Sequence, residues 1–158
     1  MASTQVKTTS LAGGPWSQSK KAAAASLTTA LAGANNDLTY TAKDVGASSI
    51  TVRYVVAGAS TPLSVSVSGS DITVNVATNG SSAATSTAAQ VKTAVDGNGP
   101  ASALVSVANA SGNDGTGVVT ALGVTALTGG VSRKVAHGTN GWGSVKRDLS
   151  GRGSVVTN

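Results

Sequence analysis

Few residues in this chain could do covalent chemistry. It holds one histidine, His137, no cysteine and no glutamate, so all six of its carboxylates are aspartates. A hydrolytic relay needs an imidazole oriented by a carboxylate and set beside a nucleophile. His137 stands in VSRKVAHGTNGWGS, a glycine-rich stretch with no rigid element predicted around it. Any serine is then as good a partner as any other, and the residue reads as a solvated histidine. The loop Gly112-Asn113-Asp114-Gly115-Thr116-Gly117 resembles an ion or phosphate loop only superficially. A Ca²⁺ loop needs several carboxylates at alternating positions, and only Asp114 is there. A phosphate loop needs GxxxxGK[ST], and no lysine follows. The segment reads as a tight turn between two strands. Without cysteine there are no disulfides and no thiolate metal sites. No catalytic residue, metal or cofactor is predicted, and the chain is not expected to be an enzyme.

The charged residues say more. Residues 1–36 carry Lys7, Lys20 and Lys21 and no acid. Residues 37–114 carry three cations against five aspartates, a net −2. Residues 115–158 carry Arg133, Lys134, Lys146, Arg147 and Arg152 against Asp148, a net +4. A mildly acidic middle is therefore flanked by two basic ends. Such ends could neutralise phosphates. The middle, however, offers no aromatic platform for base stacking, so nucleic acid is the disfavoured partner. An acidic protein surface would use the same electrostatics. Trp16 and Trp142 stand alone in these ends; each is an apolar anchor candidate, since Trp is enriched at interface hot spots. MASTQVKTTS lacks the charged-then-apolar pattern of a signal peptide. No run approaches the roughly 18 apolar residues of a membrane span, so a soluble protein that does not engage a membrane is expected.

The elements that would position these residues are legible mainly between Asp37 and Leu127. Leu63, Val65 and Val67 alternate with Ser64 and Ser66, and Ile72, Val74 and Val76 alternate with Thr73 and Asn75. Period-2 alternation marks strands with one buried face. A two-residue type II′ turn at Gly69-Ser70 would set Val67 opposite Ile72 and Val65 opposite Val74; a slip of one residue would oppose Val to Ser throughout. Leu38, Tyr40 and Ala42 predict a strand, and Ile50, Val52, Tyr54 and Val56 another. Both tyrosines fall on inward positions. Thr87 and Gln90 fit a capping box, followed by Ala88, Val91, Ala94 and Val95 on one helical face. Gly97 is placed as the left-handed C-terminal residue, with Pro100 beyond it. This helix should lie over the apolar face of the sheet. Ala103–Ala108 and Val118–Leu127 complete the strands, the second with a bulge near Gly123.

The remaining segments predict arms. Residues 1–36 are read as an N-terminal arm, with a short helix possible over Lys20–Leu31 (KKAAAASLTTAL) on alanine's propensity. Residues 131–158 are read as a basic, Gly-rich C-terminal arm, and 37–130 as the folded domain between them. The fold class is α+β: a mostly antiparallel sheet or small β-sandwich with one packed helix, flanked by extended arms. Its core is thin, because the chain has no Phe and only four aromatic residues. Help from neighbouring subunits, as a homo-oligomer or by docking on a larger body, is expected.

The segments NDLTYTAKDVG, SSITVRYVV, LSVSVSGSDITVNVATNGSSAATSTAAQVKTAV, ALVSVANASGNDGTGVV and ALTGG lie within residues 36–130. Together they resemble a recurring module of tailed-bacteriophage virion proteins, seen in capsid decoration (cement) proteins, head fibres and some tail components. The two arms lie outside the resemblance. It implies a structural, non-catalytic role. The expected function is a capsid decoration protein that binds the outer surface of the phage head and bridges major capsid subunits through its arms. The alternative is a tail, neck or fibre-base subunit of the virion. The implied partners are the major capsid protein and neighbouring copies of the chain, a trimer being the arrangement a local threefold junction would suggest. The implied location is the virion, assembled in the host cytoplasm. Lys20, Lys21, Arg133, Lys134, Lys146, Arg147 and Arg152 would dock on capsid acids, with Trp16 and Trp142 as anchors. The simpler reading of the cations is a solvated basic tail. A carbohydrate- or host-binding module would need an exposed aromatic platform, and only the inward-facing Tyr40 and Tyr54 are available for one.

Overall fold

The computed structural model describes residues 21–46 and 48–132, together with the backbone pairing of 146–147 with 153–154. In chain order the elements are β1 (Ala24–Thr28), β2 (Leu38–Val45), β3 (Thr51–Val55), β4 (Ser64–Ser68), β5 (Asp71–Asn75), α1 (Ala88–Gly97), α2 (Gly99–Leu104), β6 (Val105–Asn109) and β7 (Leu122–Ala126). Two short pieces, β8 (Lys146–Arg147) and β9 (Gly153–Ser154), pair antiparallel with each other. The fold is α+β and mostly strand, with two sheets and two helices.

Alternation sets the registers. β4 and β5 pair with Val67 opposite Ile72, Val65 opposite Val74 and Ser68 opposite Asp71. Gly69 supplies the turn with φ +60°, a value that favours glycine. The four-stranded sheet runs β4-β5-β3-β7, and the three-stranded sheet runs β1-β2-β6. β3 and β5 are parallel, because β4 lies outboard of β5 and returns the chain to the end where β3 began. The expected irregularity near Gly123 is present. Val52 and Tyr54 pair with Thr125 and Leu122, so β7 carries one residue more than β3 across that step.

The sheets face each other across a core of Val, Ile, Leu and Ala. Both of its long edges are closed. After β7 the chain passes from one sheet to the other, where Thr128 and Val131 pair with Ser26 and Ala23 of the β1 segment. On the opposite side α1 and α2 span from β4 to β6 and β2. There Asn98 Nδ2 donates to the outward Val65 carbonyl at 2.9 Å, occupying part of the β4 edge.

α1 begins at its expected cap. Thr87 accepts from Gln90 N, and Gln90 Oε1 accepts from Thr87 N. Ala88, Val91 and Val95 are buried, while Ala94 is half-buried. The C-terminus differs from expectation. Gly97 ends the helix without adopting a left-handed backbone, and Asn98 is extended at φ −89°. Asn98 then caps α2, accepting from Ala101 N at 3.0 Å, and Pro100 sits in that helix's first turn. Pro100 therefore starts a second helix rather than following a terminated one, since a missing N–H costs nothing there. The strand expected from Ala103 accordingly begins at Val105.

The N-terminal arm also needs correction. Residues read as arm, or as a short helix over Lys20–Leu31, include β1, which pairs with β2 from Ala24↔Val45 to Thr28↔Thr39. Ala25, Thr29 and Leu31 are buried. Alanine's helix propensity amounts to only a few tenths of a kcal/mol per residue over most alternatives. That is less than the ladder and burial gained between β2 and the 128–131 segment. Small residues also suit the place: a Cβ on Gly130 would stand 3.1 Å from Ala25 Cβ and 1.8 Å from the Gly46 carbonyl oxygen.

Tyr40 and Tyr54 link the two sheets. Both are buried, at 0% and 2% exposure. Their rings meet edge to face at 6.5 Å between centroids, and their hydroxyls are 2.7 Å apart. Tyr40→Phe leaves the Tyr54 hydroxyl buried without that partner and should cost about 1–3 kcal/mol. Tyr40→Phe/Tyr54→Phe should lose less than the sum of the single changes, because no orphan hydroxyl remains. A double-mutant cycle from urea unfolding reads this directly.

Candidate functional site

The glycine-rich loop 112–117 proves to be a brace. Asp114 Oδ1 accepts from Thr116 N at 2.9 Å and from Thr116 Oγ1 at 2.7 Å. The Thr116 hydroxyl, then its backbone N–H, holds the exposed Asp114 carboxyl below the usual range. Gly115 and Gly117 turn their carbonyls onto the start of α1, accepting from Ala89 N at 2.9 Å and Ala88 N at 3.0 Å. Together with Thr87 these bonds satisfy the first N–H groups of the helix. A helix N-terminus so occupied has no donors left for a phosphate. The same loop grips the 31–37 segment. Gly117 N donates to Asn35 O at 2.9 Å, Asp37 N to Asn113 Oδ1 at 3.1 Å, and Asn36 Nδ2 to Ala32 O and Val118 O at 2.8 and 3.0 Å. Asp37 in turn accepts from Thr29 Oγ1 and Leu31 N. One of its carboxylate oxygens thus holds a hydroxyl and a backbone N–H of the 29–31 segment.

The phenol pair is the other buried polar group with chemical potential. Burial pushes both hydroxyls well above their ordinary value of 10. For Tyr40 the nearby Tyr54 adds to the rise, whereas for Tyr54 the hydrogen bond from Tyr40 opposes it. Neither ionises at neutral pH, so neither serves as a base or nucleophile there. Among the described residues no three His, Cys, Asp or Glu side chains lie close enough to hold a metal ion, and no helix is long and apolar enough to cross a membrane.

Of the residues expected to bind a partner, Lys21 is described: it is exposed and lies just before β1. Lys146 and Arg147 form β8, opposite Ser154 and Gly153. Trp16, Lys20, Arg133, Lys134, Trp142 and Arg152 lie outside the described residues, as does His137. The structure does show where the two terminal segments join the domain. Ala23 N donates to Val131 O at 3.0 Å and Val131 N to Ala23 O at 2.8 Å, and Gly46 N donates to Ala23 O at 2.9 Å. Both junctions therefore lie side by side, at the end of the sandwich where β2 gives way to Gly46. This juxtaposition has no signal in the sequence, since it depends on a pairing 108 positions apart.

Charge separates sharply. Residues 21–132 hold Lys21, Lys43, Arg53 and Lys92 against Asp37, Asp44, Asp71, Asp96 and Asp114, a net −1. Lys92 and Asp96 pair along α1. The residues outside that span carry the whole positive excess, a net +6. No family model, no curated protein and no solved structure matches this chain.

Two measurements test these assignments. A Cβ on Gly117 would stand 2.0 Å from Ala34 O, whereas one on Gly80 meets nothing within 4 Å. Gly117→Ala should therefore lower stability by about 2–3 kcal/mol, and Gly80→Ala should stay within about 0.5 kcal/mol, read as urea midpoints. The tyrosine pair predicts an alkaline limit. Because folding raises both phenol values, their contribution is fully present below about pH 10, the unfolded value, and falls as pH rises beyond it. Phenolate absorbance should therefore appear together with loss of the folded circular-dichroism signal. Phenolate formation in the intact fold near pH 10 would contradict the buried pair.

Proposed function

We propose that this chain is a structural, non-enzymatic protein of a tailed-phage virion, acting as a capsid decoration protein. It binds the outer surface of the head and bridges major capsid subunits through its terminal segments. The observation that carries this reading is the separation of fold from charge. A closed sandwich of net −1 has Asp37, Asp114 and the first N–H groups of α1 engaged in bonds within the domain, while a net +6 resides in the sequence on either side. A body built this way holds a position, and adhesion falls to the cations beyond it. Lys20, Lys21, Arg133, Lys134, Lys146, Arg147 and Arg152 would meet acidic groups of the capsid, with Trp16 and Trp142 supplying apolar anchorage. The resemblance of residues 36–130 to the phage virion module supports the same context.

The test is co-sedimentation of the purified chain with phage heads assembled from the major capsid protein of the same source genome. The full chain should sediment with the heads, and binding should weaken as salt rises. A truncation ending at Ser132 keeps the Val131–Ala23 pairing. It should retain the folded circular-dichroism spectrum and lose head binding. Undiminished binding by that truncation refutes the reading.

A further inference from the structure

Three asparagines of this chain precede a glycine: Asn79-Gly80, Asn98-Gly99 and Asn140-Gly141, the last outside the described residues. In such a pair the glycine nitrogen can attack the side-chain amide carbon of the asparagine before it. A glycine has no Cβ to obstruct that approach. The two described pairs are held in very different ways.

Asn98 is bonded at both ends of its amide. Its Nδ2 donates to Val65 O at 2.9 Å, and its Oδ1 accepts from Ala101 N at 3.0 Å. The side chain is half-buried, and Gly99 begins α2. Freeing the amide for reaction would undo the cap of α2 and the bond to β4 together. Asn79 and Gly80 are both exposed. Asn79 Oδ1 accepts from Ser81 N at 2.9 Å and from Ala83 N at 3.0 Å. Neither its Nδ2 nor the Gly80 N–H has a partner among the described residues. Negative charge growing on Oδ1 therefore falls between two aimed donors, as in an oxyanion hole, and the amide nitrogen is free to leave. The Asn79 backbone is bonded to Ser60, Ser82 and Ala83. These are loop bonds at the surface, and local opening there costs far less than unfolding the sheets.

We infer that Asn79 is a site of spontaneous deamidation in the folded protein, and that Asn98 is locked against it. Hydroxide takes the Gly80 N–H proton, the nitrogen bonds to Asn79 Cγ, and the Cγ–Nδ2 bond breaks, ammonia leaving with a proton from water. A second water opens the cyclic imide, at Cγ to give aspartate or at the backbone carbonyl to give isoaspartate. The fold accepts the aspartate product. A carboxylate at position 79 keeps both N–H bonds, now charge-assisted, and takes residues 21–132 from net −1 to −2. At position 98 the same change would set an oxygen against the Val65 carbonyl in place of a donor. The site is independent of any role in a virion.

The experiment incubates the full chain in neutral and mildly alkaline buffer, folded and in urea, and maps peptides by mass spectrometry for the amide-to-acid mass gain. In the folded chain Asn79 should convert several-fold faster than Asn98, and faster as pH rises; in urea the two should convert at similar rates. Asn98 converting as fast as Asn79 in the folded chain overturns the inference, as does an intact Asn79 there when the urea sample has converted. A Cβ on Gly80 meets nothing within 4 Å, so Gly80→Ala should preserve the loop and slow conversion several-fold; an unchanged rate overturns the proposed attack. Asn79→Asp should hold the urea midpoint and Asn98→Asp should lower it. Equal losses in the two variants overturn the claim that the fold accepts the product.

Discussion

Two sheets of small and β-branched side chains have to be held at a fixed separation, and the contact that spans it is the Tyr40–Tyr54 pair. Facing sheets pack roughly 10 Å apart. Val, Ala and Ile from both inner faces fill that gap in short increments, each Val giving about 1.5–3 kcal/mol when fully buried. Tyr40 is the largest fully buried side chain in the domain, and it comes from one sheet while Tyr54 comes from the other. Their edge-to-face rings and shared hydrogen bond make the apposition directional as well as apolar. The arrangement carries a cost: two hydroxyls share one bond, and the second proton has no acceptor among the described residues. It favours one relative placement of the sheets over sliding alternatives.

Once that placement is set, the edges follow. β7 continues into 128–131 and joins β1, and the α1–α2 corner reaches across to β4 through Asn98. The glycine-rich loop, which looked most like a ligand site, instead caps α1 and ties down the 31–37 segment. The polar groups of that loop are used internally. What remains for recognition is the outer surface and the chain beyond the sheet edges.

The positions of the chain ends decide how such a domain could be used. Had residue 21 and residue 132 lain at opposite poles, the basic segments would point to separate neighbours. The Ala23–Val131 bonds instead bring them together, next to exposed Val45 and Lys43. The two points at which the sequence leaves the described domain therefore lie at one end of the fold.

Alternation alone specified β2, β3, the β4–β5 hairpin and the inward-facing tyrosines, because a one-residue slip would have turned their apolar faces to water. Local side-chain chemistry likewise specified the start of α1, since Thr87 and Gln90 need only each other's backbone. The net charges of middle and ends were also plain in the residue order. β1 was not legible, because an alanine-rich run has no preference strong enough to announce a strand; only an open side of β2 and a glycine at 130 made room for it. Nor was α2, whose cap depends on Asn98 being held against Val65 by the fold. The role of the 112–117 loop and the meeting of the two termini were settled by contacts between residues far apart in the chain, which exist only when both sheets have closed on one another.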